Sequence, residues 1–300
     1  MSGVSRPGEA SMASSGLIAP VTGRRYVKAW RIDEYIASAL EFYRWTEDLF
    51  QRNFFYPVEI VRFLANEEAR KAWEKRREDE SYAAYISGKT YDFLEPFNRP
   101  YGILTGGYRL DTTPWLDACR NFLKMKGWLI ESPFVTNATD KSDRLLVWAS
   151  GSTDPGGMHG VIPNKGEALL VRMPEWNIPI IVKEDVFIIP IEHDLFWVGS
   201  YYQPWPEHPH PSEEGKQKLL EAIHRFYSGP VIVMEHFAGV RPTVDDRRPL
   251  IGPLPGHAGQ YMFNGMGTKG TSLAPFWAGE LISHLTEGVS LSREVSPDRY

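Results

Sequence analysis

The chain has 300 residues, 42% hydrophobic and 24% charged, which is typical of a folded globular protein and excludes a disordered chain. Its formal net charge of −5 gives no sign of the strongly basic surface that nucleic-acid or anionic-lipid binders usually show, so a small-molecule partner is favoured. The single cysteine, Cys119, excludes an internal disulfide, and no apolar run approaches the roughly 18 residues of a membrane span. We expect a cytoplasmic protein.

Three helices are predicted in the first half of the chain. The first runs from an N-cap at Asp33 to Phe50, with apolar residues at helical spacing. Residues 66–80 are dense in both charge signs and predict a solvated helix with few core contacts. The third begins at Thr113-Pro114, a cap followed by a first-turn proline, and ends at Gly127.

The middle of the chain predicts closely spaced strands. They are rich in β-branched and aromatic residues and separated by turn residues: LLVWASG, GEALLVRM, IPIIVK, DVFIIPI and LFWVGSYY. A helix capped by Ser212 follows, then the strands PVIVMEH and QYMFN, then a last helix from Ser272 to Thr286 that Gly288 ends. This order predicts an α+β fold with an antiparallel or mixed sheet.

The segment FNGMGTKGTSLAP, residues 263–275, imitates two phosphate-binding motifs. A P-loop needs lysine directly after its second glycine, and Thr271 follows Gly270 instead. The G-x-G-x-x-G spacing follows a strand and opens a helix, but residues 289–300 contain no convincing second strand with an acid for a ribose. What remains is a helix N-terminus whose unpaired amides suit an anionic or carbonyl group.

Arg241 stands in GVRPT, between Gly239 and Pro242 and a short loop before the glycine turn. A guanidinium held by stiff neighbours suits bidentate capture of a carboxylate. The alternative is a loop arginine in a surface ion pair.

These segments resemble the D-amino acid oxidase or glycine oxidase type of FAD-dependent oxidoreductase. GVRPT, DDRRPLIGPLP and the glycine turn are similar, in order, to the C-terminal signature of that family. ASMASSGLIAPVTGRRYVKAWR, residues 10–31, resembles the segment that follows the second strand of its FAD domain. The resemblance covers nearly the whole chain from about Arg6.

The resemblance implies an α/β FAD-binding domain interleaved with a substrate domain that has an antiparallel or mixed sheet. The FAD-binding domain is expected at residues 1–52, 107–160 and 236–300, and the substrate domain at 53–106 and 161–235. The family's opening strand, G-x-G-x-x-G turn, helix and second strand have no counterpart before Met1. A start placed at an internal methionine, or a gene fragment, would explain this. If the chain is complete as given, we expect an N-terminally truncated FAD domain that binds FAD weakly or not at all.

The resemblance also implies roles for individual residues. Arg241 matches the arginine that pairs with the substrate carboxylate, and Lys269 is taken with it as a catalytic candidate. The candidates for FAD binding are Ser15, Gly16 and Leu17 beside the flavin ring, Gly151 in a loop, and Gly265, Met266, Gly267, Thr268, Lys269 and Gly270 in the turn. Backbone donors in that turn would stabilise negative charge that develops on the ring.

Two further expectations concern the substrate pocket and metals. Tyr201, Tyr202 and Trp205 are candidates to line the pocket, although aromatic residues in strands are more often core. The eight histidines lack metal-ligand spacing, so no metal site is expected.

The implied reaction is oxidation of the C–N bond of a small amine or amino acid, of the D-amino acid, glycine or N-methyl type. Hydride would pass from the α-carbon to FAD and the imine would be hydrolysed. Two alternatives stay open: a flavin-dependent oxidoreductase that acts on a tRNA-base side chain, which the acidic net charge disfavours, and a truncated chain without cofactor or activity. The amine, the electron acceptor and the oligomeric state are not determined by the sequence.

Overall fold

The computed structural model describes residues 9–131, 145–152 and 160–300. The helices are α1 Ile32–Phe50, α2 Glu67–Arg77, α3 Thr112–Met125, α4 Glu213–His224 and α5 Gly270–Glu287. Short 3-10 helices lie at Glu80–Tyr82, Asp92–Phe97, Arg293–Val295 and Pro297–Arg299. Within these ranges, no helix combines the length and apolar character that a membrane crossing needs.

The strands fall into one large and two small sheets. They are β1 Leu17–Ile18, β2 Val21–Thr22, β3 Val27–Lys28, β4 Phe55–Phe63, β5 Ile86–Ser87, β6 Tyr101–Leu110, β7 Leu146–Trp148, β8 Ile162–Arg172, β9 Ile181–Lys183, β10 Phe187–Pro190, β11 Leu195–Pro204, β12 Ile232–Thr243, β13 Leu250–Pro253 and β14 Gln260–Asn264. Among the described residues, the large sheet has nine strands in the order β1-β6-β4-β9-β10-β11-β8-β12, with β5 also paired to β6.

Strand direction makes the large sheet mixed. Its pairs are antiparallel except for β4 and β9, which run parallel. A three-stranded sheet of order β13-β14-β7 is also mixed, and β2 and β3 form a small hairpin. The predicted α+β class with an antiparallel or mixed sheet is therefore confirmed. The strands β6 and β12 each continue through a predicted domain boundary, at 106/107 and at 235/236. The division into two domains therefore stays a prediction.

Helices cover the sheets through buried apolar faces. On α4, Leu219 and Ile223 are fully buried and belong to the same core cluster as Val171 and Val198 of the large sheet. The helices α1 and α5 pack together, and Trp277 donates from its ring nitrogen to the Tyr35 hydroxyl at 3.2 Å. The Tyr43 hydroxyl of α1 donates to the Thr271 carbonyl at 2.9 Å, so α1 holds the N-terminus of α5.

Helix ends differ from the prediction where the cap depends on tertiary contacts. Asp33 lies in the first turn of α1, and Arg31 occupies the N-cap position in a left-handed conformation. Asp33 instead accepts from the Lys28 ammonium at 3.2 Å. The third helix begins at Thr112, after Asp111.

Two other predicted helix signals act as expected. Ser212 caps α4, since its hydroxyl accepts from the Gly215 amide at 3.1 Å. Gly288 ends α5 with a φ of 74°. Cys119 is a free, half-buried thiol on α3, and burial raises its pKa to about 11, so it stays protonated and unreactive at neutral pH.

Candidate active site

The site is organised around one face of three neighbouring strands, β11, β8 and β12. Arg241 of β12 lies opposite Asn164 of β8, and Tyr202 of β11 lies opposite Gly166 of β8. Because side chains alternate along a strand, these four residues share one face of the sheet, which we call the Arg241 face.

The Arg241 side chain crosses the strand in front of Gly166. A Cβ atom built on Gly166 would lie 1.9 Å from Arg241 Nη1, so the guanidinium occupies the space that this glycine leaves. Arg241 Nη2 donates to the Ser200 hydroxyl at 3.1 Å. The guanidinium carbon is 4.9 Å from the centre of the Tyr202 ring, close enough for a cation–π contact. These contacts hold the guanidinium in one orientation.

The electrostatic state of Arg241 is unusual for a buried charge. Nη1 is buried and has no hydrogen-bond partner in the part of the chain that the structure describes. Burial lowers the pKa of Arg241 from its ordinary 12.5, partly opposed by the Tyr202 phenol, and no carboxylate among the described residues acts on it. The group stays charged at neutral pH, so its desolvation is uncompensated. A planar donor in this state can bind a carboxylate strongly.

The first described residues of the chain reach the sheet next to Arg241. Glu9 bridges to Val240 in parallel fashion. A Cβ atom on Gly239 would lie 2.7 Å from Ala10 Cα and 3.2 Å from Ala13 Cβ. The absence of a side chain at Gly239 therefore lets residues 9–13 cover the strand two residues before Arg241.

Ser15, Gly16 and Leu17 continue from this segment into β1. Gly16 has a φ of 69°, and a Cβ atom there would lie 1.9 Å from the Leu110 carbonyl oxygen, so only glycine fits. The Ser15 hydroxyl accepts from the Leu17 amide at 3.4 Å, and Leu17 pairs with Arg109 of β6. Because β1 contacts α5, the predicted early segment lies near the helix that follows the glycine turn.

The glycine turn is joined directly to the strand that carries Arg241. The Gly267 amide donates to the Pro242 carbonyl at 2.9 Å, one residue after Arg241. Gly265 and Gly267 have φ values of 74° and 55°, which a side chain would strain.

The remaining turn residues lead into α5. Met266 packs against the core beneath α5, whereas Thr268 is exposed. Lys269 occupies the N-cap position. Across the described ranges, the amides of Gly270 and Thr271 have no acceptor, as expected for the first turn of a helix. The turn thus presents main-chain donors beside Arg241.

Gly151 joins the same region from the loop after β7. Its carbonyl accepts from the Asn264 side-chain amide at 2.9 Å, and Asn264 immediately precedes the turn. The structure therefore brings all four predicted stretches together: residues 15–17, Gly151, Arg241 and residues 265–270.

Lys269 is placed differently from Arg241. Burial, followed by repulsion from the nearby Arg247, lowers the pKa of Lys269. The main chain of Lys269 belongs to the turn and caps α5. Its ammonium is repelled by Arg247. The geometry favours Lys269 as a main-chain element of the turn.

The three aromatic candidates for the substrate pocket lie in different places. Tyr202 lies on the Arg241 face, whereas the Tyr201 hydroxyl donates to Glu214 of α4 at 2.9 Å on the opposite face. Trp205 is 66% exposed. Asn164, Gly166 and Ser200 complete the face but carry no recognisable motif, because strand register alone brings them to Arg241.

The opposite face of β8 carries a buried charged group, which we call the Glu167 cluster: Lys165, Glu167, Ser212 and His236. Lys165 and Glu167 are 1% and 0% exposed, and the Lys165 ammonium is 3.0 Å from Glu167 Oε1. Ser212 donates to Glu167 from its amide at 2.9 Å and from its hydroxyl at 2.7 Å. His236 Nε2 lies 2.9 Å from Glu167 Oε2, close enough to form an ion pair when the imidazole is protonated.

These contacts set the ionisation of the cluster. Burial raises the pKa of Glu167, but the donors of Ser212 and Lys165 outweigh it and hold the pKa below its ordinary 4.5. Burial lowers the pKa of His236 despite the nearby carboxylate. Among the described residues, no three His, Cys, Asp or Glu side chains are grouped to hold a metal ion.

Residues 124–285, more than half of the chain, match the family model described as FAD dependent oxidoreductase. The chain belongs to this family. The resemblance predicted from the sequence is thereby confirmed, and FAD is the cofactor of the family.

Sequence relatives of this FAD-dependent oxidoreductase align over part of their length. A glycine oxidase from Pseudomonas aeruginosa is 24% identical over 165 residues, 51% of this chain and 45% of that protein. The bifunctional tRNA 5-methylaminomethyl-2-thiouridine biosynthesis protein of Albidiferax ferrireducens is 32% identical over 116 residues, 31% of this chain and 19% of that protein. The alignments thus span less than half of each relative.

A solved structure shows that the fold is shared. The crystal structure of glycine oxidase from Geobacillus kaustophilus superposes with a TM-score of 0.80 at 19% identity. The superposition covers 98% of this chain and 90% of that chain.

The residues of this FAD-dependent oxidoreductase that are present fit one end of a flavin. The main-chain donors at the start of α5 suit the polar edge of the ring, and Gly265 and Gly267, which their positive φ values favour, add no side chain beside it. Arg241 adds a positive charge on the adjoining strand.

Proposed function

We propose that the chain oxidises the C–N bond of a small amino acid or amine and that FAD, when bound, accepts the electrons. The observation that carries this proposal is the buried, unpaired Nη1 of Arg241 on a strand bonded to the glycine turn. A carboxylate bound there would compensate the charge and lie next to the main-chain donors that suit the flavin. Membership of the FAD-dependent oxidoreductase family supports the redox chemistry.

Each residue then has a role that follows from its contacts. Arg241 would bind the substrate carboxylate through Nη1, while Ser200 and Tyr202 hold the guanidinium in place. Fixing the carboxylate orients the adjacent α-carbon, which is catalysis by positioning. The amides of Gly270 and Thr271 would hold the flavin edge and stabilise negative charge there. The segment at Ser15–Leu17 would lie along the ring.

The test is the visible spectrum of the purified chain supplied with FAD. Because FAD binding is expected to be weak, FAD is supplied above the protein concentration, and we expect the protein-bound fraction to bleach on anaerobic addition of glycine, N-methylglycine or D-alanine. Acetate, which has the carboxylate but no amine, is the matched control and should leave the oxidised spectrum in place. The proposal is wrong if bound flavin is bleached by none of these amines. If FAD does not bind even in excess, the alternative of a truncated chain without cofactor is favoured instead.

A second candidate is oxidation of an amine side chain on a modified tRNA base. The observation that favours it is the 32% identity to the Albidiferax ferrireducens protein, whose name assigns it to tRNA modification. The net charge of −5 opposes it, because tRNA binding needs positive charge that faces phosphates. Salt-dependent binding of tRNA at micromolar concentration would favour this candidate, whereas its absence at low salt would remove it.

A further inference from the structure

Asn164 presents a second unpaired polar atom on the Arg241 face. It lies directly opposite Arg241 in the pairing of β8 with β12. Its side-chain oxygen Oδ1 is buried and has no hydrogen-bond donor in the described part of the chain. A buried acceptor left unpaired is energetically costly, so this oxygen is a site for a donor supplied by a ligand.

The two unpaired atoms are complementary in chemistry. Arg241 Nη1 is a charged donor and Asn164 Oδ1 is a neutral acceptor. A carboxylate binds the first, and an N–H group binds the second. A small α-amino acid carries both groups on one carbon atom.

The spacing along the sheet suits such a ligand. The Arg241 guanidinium lies in front of Gly166, which is two residues along β8 from Asn164, about 7 Å in a strand. Asn164 and the guanidinium thus lie at neighbouring positions on one face, a separation that one small molecule can bridge. Residues 9–13 cover Gly239 and close the neighbouring part of the face.

We propose that Asn164 binds the amino group of the substrate while Arg241 binds its carboxylate. This inference rests on the proposed function and extends it by defining the substrate as an amine with an N–H donor next to a carboxylate. Two fixed points leave the α-carbon little rotational freedom. Asn164 is therefore a substrate-binding residue that restricts specificity.

The neutral amide also suits the chemistry. Oxidation of a C–N bond uses the nitrogen lone pair to form the C=N bond, so the reacting nitrogen must be unprotonated. An amide oxygen accepts from a neutral amine without the strong preference for an ammonium that a carboxylate would impose. Asn164 thus positions the nitrogen without raising its pKa.

The first test is calorimetric binding of matched ligands to the FAD-supplied chain: glycine against acetate, and D-alanine against propionate. We expect Asn164→Ala to weaken the binding of glycine and D-alanine at least tenfold and to change the affinity for acetate and propionate less than about twofold. Gln203→Ala is the control, since that amide lies opposite Lys165 on the other face. Thermal unfolding of each variant checks that it folds.

The outcomes separate the two proposals. If the wild type binds glycine or D-alanine and Asn164→Ala binds them equally well, the role of Asn164 is wrong and the proposed function stands. An equal loss for the amino acids and the acids without an amine would also overturn this inference, because Asn164 would then act only through Arg241. A wild type that binds none of the amino acids overturns both proposals.

The second test is the pH profile of kcat/KM for Asn164→Asp. A carboxylate at this position stabilises the ammonium form of the substrate, so the pH of half-maximal rate should rise by about one unit. A residue with only a structural role would lower the rate without moving the profile, and that result would contradict the inference.

Discussion

The sheet carries buried charges on both of its faces around β8, Glu167 of β8 on one face and Arg241 of β12 on the other, and the protein compensates them very differently. On one face, Glu167 has a cationic partner and two donors from Ser212. On the other face, Arg241 has one hydrogen bond to Ser200 and a buried Nη1 without a partner among the described residues. A charge whose partners are all supplied by the protein stabilises the fold, whereas a charge left incomplete is available to a ligand.

The comparison predicts that stability and binding depend on different faces. Substitutions in the Glu167 cluster should change the free energy of unfolding and leave ligand affinity alone. Substitutions on the Arg241 face should change ligand affinity and leave the free energy of unfolding largely unchanged.

The largest expected effect is on folding, in Glu167→Ala. Removing the carboxylate leaves the Lys165 ammonium, 1% exposed, without its counter-ion, so we expect a loss of about 3–5 kcal/mol in the free energy of unfolding. Urea denaturation measures it. Glu214→Ala, at an exposed carboxylate on α4, should change stability by less than about 0.5 kcal/mol. A loss below about 1 kcal/mol in Glu167→Ala would remove the structural role of the cluster.

The next effect is on binding, in Arg241→Met. Loss of the guanidinium should weaken the binding of both glycine and acetate about 100-fold, equivalent to about 2.7 kcal/mol of binding free energy. The free energy of unfolding should not fall, because the substitution removes a buried charge that lacks a partner.

Calorimetry and urea denaturation together test Arg241→Met. Arg172→Met is the control, since that arginine pairs with Asp194 at the other end of β8. Unchanged affinity for both ligands in Arg241→Met would show that the unpaired guanidinium binds neither.

A smaller pair of effects comes from two glycines. A Cβ atom on Gly166 would displace the Arg241 guanidinium. Gly166→Ala should therefore weaken the binding of glycine and acetate about tenfold, with little change in the free energy of unfolding. Gly215→Ala is the matched change on the other face, where the Cβ atom would lie 2.2 Å from Glu167 Oε2. It should lower stability and leave affinity unchanged. If both variants lose affinity equally, the two faces are not independent.

The smallest expected effect is the pH dependence of stability. His236 has a folded-state pKa below its ordinary 6.5, so the unfolded chain binds more protons as the pH falls through that value, and stability decreases. Glu167 acts in the same direction below its ordinary 4.5, since its pKa is also lower in the folded state.

Urea denaturation between pH 5 and 8 measures this dependence. His236→Gln should lose stability less steeply than the wild type as the pH falls below 6.5. Equal slopes for the two proteins would contradict the assignment of this titration to His236.

Local signals in the sequence were sufficient for several elements. Ser212 and Gly288 define ends of α4 and α5 because capping involves only neighbouring residues. The segments around Arg241 and the glycine turn also drew attention through their own residues, whereas Gly151 and residues 15–17 were selected because continuous stretches of the sequence resemble a known family.

Two long strands lacked such signals. Proline interrupts β4 at Pro57, and β6 contains Gly102, Gly106 and Gly107, which weakens both patterns. A Cβ atom on Gly102 would lie 2.1 Å from the Trp73 ring, so this glycine is required by packing against α2. Pairing between the strands outweighs their local propensity.

The choice among the aromatic residues also depends on register. Tyr201 and Gly199 are two positions apart, so simple alternation would place them on one face. The pairing of β11 with β8 shifts between them, and this irregularity puts Tyr202 opposite Gly166 and Tyr201 on the α4 side. A shift of one residue therefore decides which ring meets Arg241.

The sequence by itself determined the α+β class, the family resemblance and the segments that carry Arg241 and the glycine turn, because these depend on local periodicity, capping and continuous motifs. Only the tertiary structure decided that Arg241 lies in front of Gly166, opposite Asn164, with an unpaired donor. The physical reason is that strand register sets which residues share a face, and burial then determines which polar atoms are left without a partner.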